Sequence, residues 1–163
     1  MSAEIKTKDV IVMKEKTIDQ VIREMWMSIS KMYNEEAAKF GGTMSIGYVL
    51  LNIDPNEGTP STALGPKMGM EVTSLSRTLK NMEEKNLVHR EPNPEDGRSV
   101  LIKLTDYGCE MRDKSKESVL RFNEVLQQHI SKDDLMTFKK VTNKILELIN
   151  EKQVYNHKQI QSR

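Results

Sequence analysis

The sequence predicts a mainly α-helical chain with a small β-hairpin wing, an α+β arrangement in which a winged helix-turn-helix is flanked by long dimerisation helices. Three observations lead there. Apolar residues recur at helical spacing through both the N-terminal and the C-terminal stretches. That period gives way once to strand-like runs, "LVHRE" and "SVLIKLT", on either side of the turn-rich "PNPEDGRS". A short helix and a polar helix precede the hairpin directly.

Each element can be justified in order. Residues 17–40 place Ile18, Val21, Ile22, Met25, Trp26, Ile29, Met32, Tyr33, Ala37 and Phe40 on a helical stripe. Thr17 or Asp19 caps its start, and Gly41-Gly42 stops it. Residues 43–53 fit a second helix capped by Thr43 or Ser45, and "DPNEGTP" reads as a loop. Residues 61–69 read as a short helix, although Pro66 lacks the amide a helix interior uses. "MEVTSLSRTLKNMEEKN" follows as a helix with Val72, Leu75, Leu79 and Met82 as its apolar stripe. Asn86 ends it, because asparagine tolerates the left-handed conformation that a helix C-terminus requires. After the hairpin, Thr105 or Asp106 caps a helix reaching about residue 130, and Ser131 caps the last one.

This order divides the chain into a flexible N-terminal segment (1–16), a helical part of a dimerisation and ligand region (17–54) and the winged helix-turn-helix (55–108). C-terminal dimerisation helices (109–150) and a polar tail (151–163) complete it. The outer helices carry more apolar surface than so small a domain needs, which predicts a homodimer.

Composition narrows the function. Hydrophobic residues make up 37% of the 163 and charged residues 30%, within or near the ordinary soluble range. No apolar run is long enough to span a membrane, and the mixed-charge opening is not expected to be a secretory signal. One cysteine, Cys109, excludes an intrachain disulfide framework. The expectation is a cytoplasmic, bacterial-type protein. Gly-rich phosphate loops, nucleophile elbows and paired histidines are missing, so an enzyme is not expected, nor a metal or cofactor. The net charge of +1 argues against nucleic acid, but only weakly, because distribution counts for more than the total.

The ordered motifs carry a resemblance. Ser76-Arg77, Met82-Glu83, Asn86-Leu87-Val88, Arg90, Asp96-Gly97-Arg98 and Leu104-Thr105-Asp106-Tyr107-Gly108 follow one another as they do in the MarR family of bacterial transcription regulators, which this chain resembles. Asn86 stands where that family usually has glycine, Met82 where it has leucine, and Gly65-Pro66 where it has alanine and a helix former. The resemblance implies a homodimer on double-stranded DNA, with repression by operator occupancy as the usual mode. It also implies a small aromatic or anionic effector held between the dimerising helices and the DNA-binding lobe.

The residues suit that expectation. A helix entering the major groove needs short hydrogen-bonding side chains and a long cation on its outward face. Thr73, Ser74, Ser76, Arg77 and Lys80 supply them, and the same residues would serve a merely solvated surface. Arg90 joins the expected DNA contacts. The resemblance gives Arg98 the wing's contact with the minor groove or its phosphates, and Asp96 is expected to pair with Arg98 and set its direction. Arg112, Lys114, Lys116 and Arg121 could add phosphate contacts or lie in solvent. Met25, Trp26, Ile29, Tyr33, Met44 and Tyr48 could line an effector cavity or be plain core. Residues 58–108 hold seven cations (Lys67, Arg77, Lys80, Lys85, Arg90, Arg98, Lys103). Seven acids (Glu71, Glu83, Glu84, Glu91, Glu95, Asp96, Asp106) match them. DNA binding would therefore depend on how the two signs segregate.

Overall fold

A computed structural model describes residues 15–152. The expected N-terminal segment and polar tail therefore lie almost wholly outside the described residues. The elements run α1 (Ile18–Ala38), α2 (Met44–Asn52), β1 (Thr59–Pro60), α3 (Ser61–Met68), α4 (Val72–Glu84), β2 (Val88–Pro92), β3 (Val100–Leu104), α5 (Asp106–His129) and α6 (Lys132–Asn150). No helix among the described residues is long and apolar enough to cross a membrane. Two compact units divide the chain between Ser118 and Val119.

The first unit holds the core. Ile46, Val49 and Leu50 of α2, Leu64 and Met68 of α3, and Leu75, Leu79 and Met82 of α4 bury together with Leu87, Val88, Ile102 and Met111. These are the i, i+3, i+4 positions of three short helices, closed over one face of a small sheet. Thr43 starts α2 by accepting the Ile46 N–H at 3.3 Å. The two hairpin strands pair antiparallel from Val88↔Leu104 to Pro92↔Val100.

Two details differ from the sequence reading. "DPNEGTP" is not all loop: Thr59 and Pro60 form β1, antiparallel to β3 with Thr59↔Ile102 and Pro60↔Leu101. A two-residue strand carries no periodic signal, and proline is confined to such edges because it cannot donate to a ladder. The approach is close at Gly58 (φ +77°), where a Cβ would lie 2.6 Å from Lys103 Cγ and 2.9 Å from the Ile102 carbonyl oxygen. The second difference is Val72, which does not join the apolar stripe of α4 but is 77% exposed. It occupies the first helical turn, where the side chain leans toward the N-terminus and past its packing partners. The short helix expected over 61–69 is present as α3, which continues through the exposed Pro66. The helix ends two residues later at Met68, with Gly69 (φ +59°) as its left-handed cap, and the Met70 N–H donates to the Gly65 carbonyl at 3.1 Å.

The loop before β1 is ordered by Asp54. Its Oδ1 accepts the N–H groups of Asn56 (2.8 Å) and Glu57 (2.9 Å), while its own N–H donates to Thr59 Oγ1 at 2.9 Å. The backbone bonds from Glu57 and Asn56 hold its carboxyl below the usual range. A depressed folded value contributes stability above the unfolded carboxylate range and loses it as pH falls through the folded one. Asp54→Asn keeps an acceptor oxygen without the charge. The wild type should melt above this variant at neutral pH, with the gap closing below about pH 4. A gap that stays constant to pH 2 would remove the charge from the account.

The end of α4 is a helix stop made without glycine. Asn86 has φ +56°, its N–H donates to the Glu83 carbonyl at 2.9 Å, and the Leu87 N–H donates to the Met82 carbonyl at 2.8 Å. Asn86→Ala should cost about 1 kcal/mol and Asn86→Gly should cost nothing or stabilise. Urea midpoints measure both, and equal midpoints for alanine and wild type would remove the left-handed strain from the explanation.

In the second unit, Ser131 starts α6 by accepting the Asp134 N–H at 3.1 Å. None of the residues of α6 is buried, and Met136, Phe138, Val141, Leu146 and Ile149 are each at least half exposed.

Candidate nucleic-acid interface

The outward face of α4 follows from its inward one. Because Leu75, Leu79 and Met82 turn to the core, the 3.6-residue repeat aligns Thr73, Arg77 and Lys80 on the opposite side. Ser74 and Ser76 flank that line, and all five polar residues are exposed. Thr78, between the faces, returns its hydroxyl to the Ser74 carbonyl at 3.0 Å. Glu84 closes the same outward face in the last turn, away from the N-terminal half that enters a groove in such folds.

The wing tip is built by side chains that bond to their own backbone. Asn93 Oδ1 accepts the Glu95 N–H (3.1 Å), and Asn93 Nδ2 donates to Ser99 Oγ (2.8 Å). The Ser99 N–H donates to the Asp96 carbonyl at 3.0 Å. The expected Asp96–Arg98 ion pair is replaced by a different bond: Asp96 Oδ1 accepts the main-chain N–H of Arg98 at 3.0 Å. Aspartate bonding to the backbone two residues on is the favoured local turn, and it satisfies the carboxylate without the guanidinium. Asp96 thus holds the Arg98 backbone at the tip, and the exposed guanidinium makes no ion pair among the described residues.

Arg90 behaves differently from the expectation that grouped it with the DNA contacts. Its Nε donates to both carboxylate oxygens of Glu83 at 3.0 Å, which ties β2 to the end of α4. The strand period explains this, since Arg90 pairs with the buried Ile102 and shares a face with Val88. The alternate face carries His89, Glu91 and Lys103. Glu91 accepts from His89 Nε2 (2.9 Å) and pairs with Lys103 Nζ (3.0 Å), and the Lys103 bond, followed by the His89 bond, holds its carboxyl low. Two of the seven cations are therefore engaged by acids of the same module. Lys85 is also committed, donating to the Gly41 carbonyl at 2.7 Å. Among the described residues Lys67, Arg77, Lys80 and Arg98 make no ion pair, so the available positive charge sits at the end of α3, on the outward face of α4 and at the wing tip.

The base of the wing is knotted to α5. The Leu87 carbonyl accepts the Thr105 N–H at 3.1 Å, and Thr105 Oγ1 donates to the Asn86 carbonyl at 2.6 Å. The same hydroxyl oxygen accepts the Gly108 N–H at 2.9 Å, which makes Thr105 the cap of α5. Gly108 comes so near that an added Cβ would stand 1.9 Å from the Leu87 carbonyl oxygen.

The remaining sequence candidates fall elsewhere. Trp26 is 58% exposed, Tyr48 47% and Met25 39%, with Ile29, Tyr33 and Met44 half-buried. These six would enclose a ligand only with a second surface over them. Burial pushes the Tyr33 phenol up. Lys114 pairs with Glu110 at 2.7 Å and lies 4.9 Å over the Phe40 ring, so it braces the first unit instead of facing phosphate. Cys109 is half-buried with a free thiol. Among the described residues no group of histidine, cysteine or acidic side chains is arranged to hold a metal.

Residues 43–100, from the cap of α2 to the first residue of β3, match the model of the MarR family. The chain carries a MarR-family domain. The HTH-type transcriptional regulator YdgJ of Bacillus subtilis is 34% identical over 71 residues, covering 44% of this chain and 43% of that protein. The organic hydroperoxide resistance transcriptional regulator of B. subtilis is 27% identical over 124 residues, covering 76% and 83%. The match thus spans less than half of YdgJ and most of the second relative. Among solved structures, the S. aureus MepR–DNA complex superimposes with TM-score 0.76 at 19% identity, covering 82% of this chain and 98% of that one. A mutant MarR from E. coli complexed with operator DNA gives 0.71 at 24% identity, covering 79% and 93%. At these identities the likeness establishes the winged-helix fold of the MarR-family domain.

Proposed function

We propose that this MarR-family regulator is a homodimer that binds duplex DNA sequence-specifically and represses transcription by occupying a pseudo-palindromic operator. The observation that carries the reading is the segregation of charge. Arg77 and Lys80 on α4 and Arg98 on the wing tip are exposed without acidic partners, as is Lys67 near the end of α3, whereas Arg90 and Lys103 are neutralised internally. In the reading, α4 enters the major groove. Thr73, Ser74, Ser76, Arg77 and Lys80 face base edges and phosphates, and Arg98 approaches the minor groove or its backbone. Arg90 serves as a brace between helix and wing, not as a primary contact. Two lobes about one helical turn of DNA apart would read the two half-sites.

The dimer is supported by apolar surface left open in each unit. No residue of α1 is buried, although Ile18, Val21, Ile22, Met25 and Trp26 recur along it at helical spacing. The exposed residues of α6 make the same case in the second unit. A second copy would also supply the missing cover for Met25, Trp26, Ile29, Tyr33, Met44 and Tyr48, giving a site for a small aromatic or anionic effector that releases the DNA.

A gel shift of the full chain on duplexes selected from a randomised library tests the core of the reading. The expected result is a salt-sensitive, sequence-selective complex with two chains per duplex. A dimer in solution with no affinity for any duplex at low salt would overturn DNA binding and favour a winged-helix protein-interaction module.

A further inference from the structure

We infer that Val72 is a specificity-determining residue that reads the 5-methyl group of a thymine in each half-site. The inference rests on the DNA-binding reading above and deepens it. Val72 is the most exposed large hydrophobic residue among the described residues, at 77%. It is the first residue of α4, one helical turn before Ser76 and directly before Thr73 and Ser74. A valine at that position is not needed to build the helix start. The apolar positions on either side of the N-cap are already filled by Met70, which packs against the core, and the buried Leu75. Val72 is therefore a lone branched apolar group set in the polar, N-terminal end of the helix.

Residues at this end of a recognition helix meet base edges in helix-turn-helix complexes. The major-groove edges of adenine, guanine and cytosine offer donors and acceptors only. Thymine alone adds a methyl group there. An exposed valine satisfies no donor or acceptor, and desolvating a polar base edge without a partner is unfavourable. Thymine is thus the one base whose edge gains from contact with Val72 and whose replacement by any other loses that gain.

The test separates the methyl group from every hydrogen bond. Duplexes are selected by the wild-type full chain from a randomised library, and each thymine of the best site is then replaced in turn by deoxyuridine, which lacks only the 5-methyl. One symmetry-related thymine pair should respond, with wild-type affinity falling about fourfold per half-site. The Val72→Ser chain should bind the thymine and deoxyuridine duplexes equally, while Val72→Thr, which keeps a methyl, should retain part of the preference. Folding of both variants is checked by circular dichroism, and the exposed position predicts no change. Selected duplexes that show no deoxyuridine effect, or a Val72→Ser chain that keeps the full effect, would overturn the assignment and leave DNA binding intact. Failure to select any duplex would overturn both readings.

Discussion

Arg77→Ala should lower affinity for a selected duplex by about 1–3 kcal/mol per half-site and broaden the set of sequences bound. The side chain stands at the centre of the outward face of α4, aligned with Thr73 and Lys80, and no acid of the module engages it. A long cation at that place can bridge two acceptors of one guanine, so its loss removes affinity and discrimination together. Arg98→Ala should act differently. A contact with phosphate, or with a narrow minor groove, weakens binding to all sequences about equally. It also lowers the salt slope by about one per chain. Fluorescence anisotropy against a panel of duplexes at several salt concentrations separates the two signatures. The variants should retain the wild-type melting temperature, since both side chains are exposed and free of ion pairs. Wild-type affinity in both would remove these residues from the interface.

Gly108→Ala should be the most destabilising single methyl in the molecule. The added carbon would stand 1.9 Å from the Leu87 carbonyl oxygen and 3.0 Å from its carbon, and both neighbours are backbone. A flexible side chain could swing away from such an intrusion, but this carbonyl also accepts the Thr105 amide. Relief requires moving α5 off the wing or breaking that bond, so a cost of about 3 kcal/mol or more is expected, at the upper end of overpacking. Thermal and urea unfolding measure it, and a loss below 1 kcal/mol would mean the joint opens easily. Thr105→Val tests the same joint from the other side. It keeps the volume but deletes the hydroxyl that donates to Asn86 and caps α5, with an expected cost of about 1–2 kcal/mol.

Much of this was legible in the residues. Helix ends were, because Thr43, Asn86, Thr105 and Ser131 are each the chemical device that stops or starts a helix. The outward face of α4 was legible too, since Leu75, Leu79 and Met82 fix its phase. What escaped depended on partners distant in sequence or on ends. β1 is too short to show a period, and its place is set by β3, some forty residues later. Val72 obeyed the period of the stripe but not its burial, because a helix end outruns its neighbours. Arg90 is expected among the DNA contacts, and its bond to Glu83 is what the sequence left unseen. The alternation of β2 would have put it beside Val88 on the inner face, where Glu83 waits. Asp96 went to the Arg98 amide because local backbone donors are nearer than a long side chain.

Leu87 has a consequence of its own. Its amide completes α4, its side chain enters the core, its carbonyl seats the first turn of α5, and the next residue begins β2. Three elements thus meet on a single residue, and no spare linker lies between α4 and β2 to take up play. Any rotation of the first turn of α5 would reach α4 and the wing through that one residue. A regulator jointed this way would register a shift of a fraction of an ångström at α5 as a change in the spacing of whatever its two outer surfaces hold.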